Sequence, residues 1–305
     1  MDHFRRIEWT VVGTMEKDLL QDPATGNKYV AKLGGRNSDL EVATEYAIFL
    51  IGRTLGAQSA DARLGRYQGR LRFLSRYFLD DDEELAHGVE LFRELYEDVD
   101  AVLKDAQREQ RLFAVQAVRD VFGAHFLGQA DSIFRSFVAM LVHDAVIGLM
   151  DRHPENWGVI VSRRRGHVPR FAPLFDSARG LFCDETEPHL RAHYFGPTGE
   201  SVLDRYVAGG RPLVGWQDAP LIAGRKYIRY PELISRIYWE YPNMRTMIDG
   251  ILGRFDHKAV RAELDRGVGD LLSPARRALI LTTLRRRIKG IRRALSGPDK
   301  PADVR

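Results

Sequence analysis

Asp151 and Asn156 stand five residues apart in Asp151-Arg152-His153-Pro154-Glu155-Asn156-Trp157-Gly158, and Asp176 follows in Phe175-Asp176-Ser177. An aspartate, an amide and a second aspartate beyond an apolar run are the groups a phosphoryl-transfer site needs. A carboxylate such as Asp151 can orient an acceptor hydroxyl and take its proton. Magnesium is a hard ion that takes oxygen ligands, so the amide oxygen of Asn156 and the carboxylate of Asp176 suit it. Singly, each reads as an ordinary turn residue, because Asp and Asn are common wherever a helix hands over to a strand. Only elements that hold the three together would make them a site.

Trp157 to Val161 reads as a strand, Ser162 to Gly166 as a charged turn and Arg170 to Phe175 as the returning strand. Such a hairpin brings Asn156 and Asp176 back to one end. Upstream, Ile133 to Met150 is the longest helical pattern, with Phe134, Phe137, Val138, Leu141, Ala145 and Leu149 on or near one face. It delivers the chain to Asp151. His143 on that helix reads as a core or surface histidine, not a catalytic group.

The N-terminal stretch reads as a small antiparallel sheet and a helix. Trp9 to Val12 is a short strand, and the bend at Gly13-Thr14 offers backbone that could approach a phosphate. Asp18 to Gln21 and Lys28 to Lys32 flank the turn Asp22-Pro23-Ala24-Thr25-Gly26-Asn27. Lys32 lies near the end of the second strand, where its side chain can point into a cleft. Apolar residues recur at helical spacing from Asp39 to Leu55, with Glu45 in the middle and Gly56 as the stop. A strand lysine followed by a helix glutamate is the arrangement that holds the α- and β-phosphates of ATP. Ala62 to Tyr67 and Arg70 to Phe78 are two further strands around Gln68-Gly69. The backbone of Arg76, Tyr77 and Phe78 is the candidate hinge for adenine, and a lobe boundary is expected near Leu79.

Beyond it the pattern is mainly helical: Asp80 to Glu84 as a helix start, then Glu90 to Lys104 and Gln107 to Phe122. Ser177 to Gln217 shows little periodicity and reads as a long functional loop. Helical patterns resume over Tyr227 to Tyr241, Asn243 to Phe255, Lys258 to Leu264 and Pro274 to Leu295. The expected domains are 1–79, 80–297 and a mobile tail over 298–305. The last helix carries Arg276, Arg277, Arg285, Arg286, Arg287, Lys289, Arg292 and Arg293 beside an apolar stripe. It reads first as a packed helix with a solvated basic face, and second as a contact for nucleic acid, an acidic partner or a membrane surface.

The 305 residues, 44% hydrophobic and 29% charged, suit one large domain or two lobes and exclude global disorder. No apolar run approaches the roughly 18 residues of a membrane span, and the charged Met1 to Arg6 opens no signal region. A cytoplasmic location is expected. The single cysteine, Cys183, excludes an internal disulfide and reads as an incidental thiol, and one thiol with nine scattered histidines shows no zinc-ligand spacing.

Taken in order, Val30-Ala31-Lys32, the Thr44-Glu45-Tyr46 to Leu55-Gly56 helix, Phe73-Leu74-Ser75-Arg76-Tyr77, Asp151 to Gly158 and Ala172-Pro173-Leu174-Phe175-Asp176-Ser177 resemble the HipA-like kinases. A more distant resemblance is to the phosphoinositide 3- and 4-kinases. The likeness spans about half the chain. It implies an α+β, bilobal protein-kinase-like fold, with a small N-lobe sheet and helix and a larger, mainly helical C-lobe. It implies ATP and Mg2+ as cofactors, with Asp151 as the catalytic aspartate, Asn156 and Asp176 as metal ligands, Lys32 as the ATP-binding lysine and Glu45 as its partner. It implies serine or threonine on a protein as acceptor, and an antitoxin or other regulatory protein as partner. Two departures stand out: the sequence before residue 28 is too short for the extra N-terminal subdomain of full-length HipA proteins, and no serine-bearing phosphate loop of the family type is evident. Two other readings stay open. One is a lipid or small-molecule kinase of the same fold; the other is a pseudokinase scaffold that docks acidic partners or nucleic acid through its basic helix.

Overall fold

Tight turns and short alternating segments build the first sheet. The computed structural model describes residues 4–7, 17–35, 38–97, 99–103, 110–164, 166–217 and 227–297. Strands β1 (Arg5–Ile7), β2 (Lys17–Gln21), β3 (Lys28–Lys32), β4 (Ala62–Tyr67) and β5 (Arg70–Arg76) form an antiparallel sheet of order β1-β2-β3-β5-β4. Both hairpins fall where the turn residues place them. Gln68 and Gly69 both have positive φ, 52° and 73°, the backbone that a two-residue turn between right-twisted strands demands. The strand expected over Trp9 to Val12 and the phosphate-approach bend at Gly13 lie outside the described residues. Strand β1 carried no sequence signal, because three residues with one apolar side chain show no alternation.

A second sheet has the order β6-β7-β8, from β6 (Glu83–His87), β7 (Gly158–Ser162) and β8 (Arg170–Phe171). In chain order the described helices are α1 (Ser38–Leu55), α2 (Gly88–Arg93), α3 (Val99–Val102), α4 (Val115–His125), α5 (Ala130–Ile147), α6 (Glu187–Tyr194), α7 (Gly199–Gly209), α8 (Tyr230–Glu240), α9 (Arg245–Gly253), α10 (His257–Val268) and α11 (Pro274–Ser296). A 3-10 turn, Pro242–Met244, joins α8 to α9.

The chain folds as two compact units. One comprises Met1–Phe78, Pro173–Leu203 and Asp256–Thr282; the other comprises Leu79–Ala172, Asp204–Phe255 and Thr283–Arg305. In the first, Val42, Phe49 and Leu50 of α1 form a buried cluster with Ala62, Leu71 and Phe73 of the sheet, and α10 packs on α1. In the second, Phe122, Phe137, Trp157 and Phe171 make a mutual aromatic cluster, with Trp157 and Phe171 stacked at 19°.

Five expectations are corrected. Asp80 to Glu84 begins a strand, not a helix. Its carboxylates take tertiary partners: Asp82 accepts from Ser162 Oγ at 2.6 Å, and Glu83 pairs with Arg170 at 2.5 Å. Those partners override the preference of acidic residues for a helix start. The helix expected over Glu90 to Lys104 is broken into α2 and α3. Within Ser177 to Gln217, expected to be irregular, stand α6 and α7. Each buries little apolar surface, Leu190 in α6 and Leu203 in α7, so neither left a periodic trace. The return strand also stops at Phe171, short of Phe175, before Pro173, which cannot donate to a ladder. Helix α11 is less solvated than its charge suggests, since Arg276 and Arg287 are buried.

Candidate active site

Antiparallel pairing sets Lys17 of β2 directly opposite Lys32 of β3. Lys32 is buried, and its Nζ donates to Glu45 Oε1 at 2.6 Å and to Asp176 Oδ1 at 3.0 Å. Lys17 Nζ donates to the other oxygen, Asp176 Oδ2, also at 3.0 Å. One carboxylate thus joins two ammonium groups, and Glu45 in the buried middle of α1 holds the inner one. Lys32, Glu45 and Asp176, singled out in sequence, converge inside the first unit.

Electrostatics follow from that geometry. Burial alone would raise the pKa of Asp176, but Lys32 and Lys17 outweigh it and hold the carboxyl well below the usual carboxylate range. Burial would likewise lower Lys32, yet Glu45 and Asp176 lift it above the ordinary lysine value. Asp176 is an anion and Lys32 a cation at neutral pH. Asp176 has φ 53°, in the left-handed region, where Asp is among the side chains that tolerate it.

The hinge residues are partly committed to this sheet. Arg76 N–H donates to Asp61 O at 2.7 Å and Tyr77 N–H to Lys28 O at 2.9 Å. Neither amide is therefore offered to a base. Phe78 packs its ring against Phe175, with centroids 5.8 Å apart. Cys183 is buried, which pushes its thiol up to about 12 and fits an unreactive side chain.

In the second unit the loop after α5 is fixed from several sides. Arg152, fully buried, forks onto buried Asp144 of α5, Nε to Oδ2 and Nη2 to Oδ1, both at 2.9 Å. Its Nη1 donates to Asn156 O at 3.1 Å. Val89 N–H donates to Pro154 O and Gly88 N–H to Trp157 O. Within the loop, Asn156 Nδ2 donates to Asp151 O at 2.9 Å, which leaves the amide oxygen as the atom a cation would take. His153 Nε2 lies 3.0 Å from Asp151 Oδ1.

Gly148 ends α5 with φ 67° and its N–H on Asp144 O. Arg287 occupies the space beside it, so a Cβ there would fall 2.1 Å from Arg287 Cζ. Arg287 donates to Ile147 O, placing a cation at the negative end of α5. Tyr230 OH donates to Leu149 O at 2.6 Å. His143 is buried beside Asp144.

Sequence reasoning missed Lys17, Asp144 and the roles of Arg152 and Arg287. Lys17 was recoverable, since the turn Asp22 to Asn27 fixes a register in which Lys17 faces Lys32. Asp144 left no trace, because an acidic residue in an apolar helix pattern resembles an ordinary surface position.

No protein-family model and no curated protein matches the chain. The crystal structure of CtkA, a proinflammatory kinase of Helicobacter pylori, superposes with a TM-score of 0.72 at 17% identity, covering 96% of this chain and 97% of that one. The chain has a kinase-like fold. That is the α+β class the sequence implied. HipA of a Shewanella oneidensis MR-1 toxin-antitoxin system, solved with HipB and operator DNA, aligns at a TM-score of 0.46 and 8% identity. That alignment covers 93% of this chain and 65% of that one. No helix among the described residues is long and apolar enough to cross a membrane.

Proposed function

We propose that the protein is an ATP- and Mg2+-dependent kinase that phosphorylates a serine or threonine hydroxyl of a protein, in the cytoplasm. The observation that carries this reading is the network of buried Lys32 and Glu45 with half-buried Asp176, and Lys17 at its edge. A site that only stabilised the sheet would have no need to bury so much charge, because desolvating ions costs several kcal/mol each. The donor set fits the cofactor: ammonium groups for phosphate oxygens, and carboxylate and amide oxygens for a hard cation. Bound Mg2+-ATP would supply the transferable γ-phosphoryl group and the Lewis acid that neutralises its charge.

In this reading Lys32, held by Glu45, orients and neutralises phosphate oxygens, and Lys17 adds a second cation. Asp176 and the Asn156 amide oxygen would hold the metal. Asp151, with one oxygen on His153, orients the acceptor hydroxyl and takes its proton. A regulatory partner such as an antitoxin belongs to the same proposal. The nucleic-acid reading of α11 stays second: Arg276, Arg277, Arg286, Arg287 and Arg292 hold partners within the fold, while Arg285, Lys289 and Arg293 are exposed.

The test is transfer from γ-labelled ATP to a protein acceptor with Mg2+. Asp151→Ala is expected to lose about 100-fold or more, the usual worth of a positioned acid or base. Parent-like transfer by that variant would remove Asp151 from the mechanism, and exclusive turnover of a lipid headgroup would replace the protein acceptor.

A further inference from the structure

Glu185, His189 and His193 follow one another at intervals of four, from the residue before the N-cap of α6 to its last turn. That spacing puts His189 and His193 on one side of the helix, and Glu185, just before the N-cap, stands beside them. One ligand atom from each lies within 4.8 Å of the others. The two imidazoles are 3.8 Å apart at their centroids, and His189 Nδ1 is hydrogen-bonded to Glu185 Oε2. We propose that Glu185, His189 and His193 bind a divalent transition-metal ion of the zinc class.

The chemistry selects the metal. Two imidazoles and one carboxylate form a borderline donor set that suits Zn2+, Co2+, Ni2+ or Cu2+, whereas Mg2+ and Ca2+ prefer oxygen alone. Ligands about 2.0 Å from a tetrahedral ion stand about 3.3 Å apart. Both imidazoles are exposed and need only side-chain rotation to close to that spacing. With three protein ligands the fourth position is open to water.

The surroundings hold the site ready. Buried Arg276 donates to the carbonyls of Phe182 and Glu185 and to Glu187 Oε1, while Glu187 Oε2 accepts from Ser273 Oγ. Phe182 packs edge-on against Tyr194, with centroids 5.0 Å apart. The backbone that carries Glu185 is therefore pinned to the start of α11, and the last turn of α6 is pinned to Phe182. The competing account is a plain Glu185–His189 ion pair of the i,i+4 kind. It gives His193 no role.

The experiment titrates Co2+ into the full, tag-free chain with Mg2+ in excess, so that oxygen-only sites are already filled. One equivalent should produce the visible absorption of tetrahedral Co2+, bleached by Zn2+. His189→Ala and His193→Ala should lose affinity beyond the about 10- to 100-fold that an outer-shell partner costs, while Glu185→Gln weakens it and Asp176→Asn leaves it unchanged. Zn2+ should raise the melting temperature of the parent and not of His193→Ala. Absence of the absorption at one equivalent, or its retention in His193→Ala, overturns the proposal. Because both histidines are exposed, these variants keep the fold, and the result is independent of phosphoryl transfer.

Discussion

Asp176 carries two ammonium groups on one carboxylate, so its charge is part of the fold as well as of the proposed chemistry. Its folded pKa is depressed, which means that its contribution to stability is present above the unfolded value, about 3.9, and is lost as pH falls below it. Asp176→Asn, which mimics the protonated acid, should therefore be less stable than the parent at neutral pH. Urea unfolding should show the gap constant down to about pH 4 and narrowing below that value. A gap that stays constant into the acid range would mean the two lysines do not stabilise the anion. Asp144 and Arg152 make a deeper pair, both buried and bidentate. Removing one partner leaves an uncompensated buried charge, so Arg152→Met is expected to cost about 3–5 kcal/mol in denaturant unfolding. Adding Asp144→Leu should recover much of the loss. If it does not, Arg152 stabilises the loop through Asn156 O and not through the ion pair.

At the scale of elements, the delivery of Asp151 depends on how α5 ends. Gly148 meets two demands there: a left-handed backbone, and no Cβ in the space of the Arg287 guanidinium. Gly148→Ala violates both, and the left-handed term alone is worth about 1–2 kcal/mol. The expected result is a lower denaturant midpoint together with slower phosphoryl transfer, since Gly148 stands three residues before Asp151. Gly148→Asn, which tolerates the backbone but not the crowding, separates the two terms by how much stability it restores. The elements readable in sequence were those whose own residues determine them: the Asp22 to Asn27 and Gln68-Gly69 hairpins, α1 with its long apolar face, and α5. Those misread depend on distant partners. Strand β6 forms because Asp82 and Glu83 find Ser162 and Arg170 about 80 residues away. Helix α6 is short, begins with Pro188 in its first turn and buries only Leu190, so its hold is Arg276, far along the chain. The site divided the same way. Lys32, Glu45 and Asp176 were legible through type and order, whereas Arg152 became meaningful only once Asp144 was seen beneath it.

At the scale of the molecule, the residues assigned to the proposed reaction are divided between the compact units. Lys32, Glu45 and Asp176 belong to the unit containing the five-stranded sheet, and Asp151 and Asn156 to the other. In the proposed phosphoryl transfer Asp151 and Asp176 act on one transition state, so their losses do not simply add. Asp151→Asn and Asp176→Asn, each near in size to the parent, should each lower kcat/KM strongly, and the double variant should be little worse than the worse single one. Nucleotide binding gives the complementary readout. Asp176→Asn and Lys32→Met should weaken binding of ATP with Mg2+, because phosphate and metal contacts are proposed there, while Asp151→Asn should bind nearly as the parent does and fail at transfer. A scaffold reading expects otherwise: transfer absent from the parent, and partner binding unmoved by any of the three changes. Full additivity in kcat/KM, with parent-like nucleotide binding by all variants, would place the chemistry on other residues even though the fold is that of a kinase.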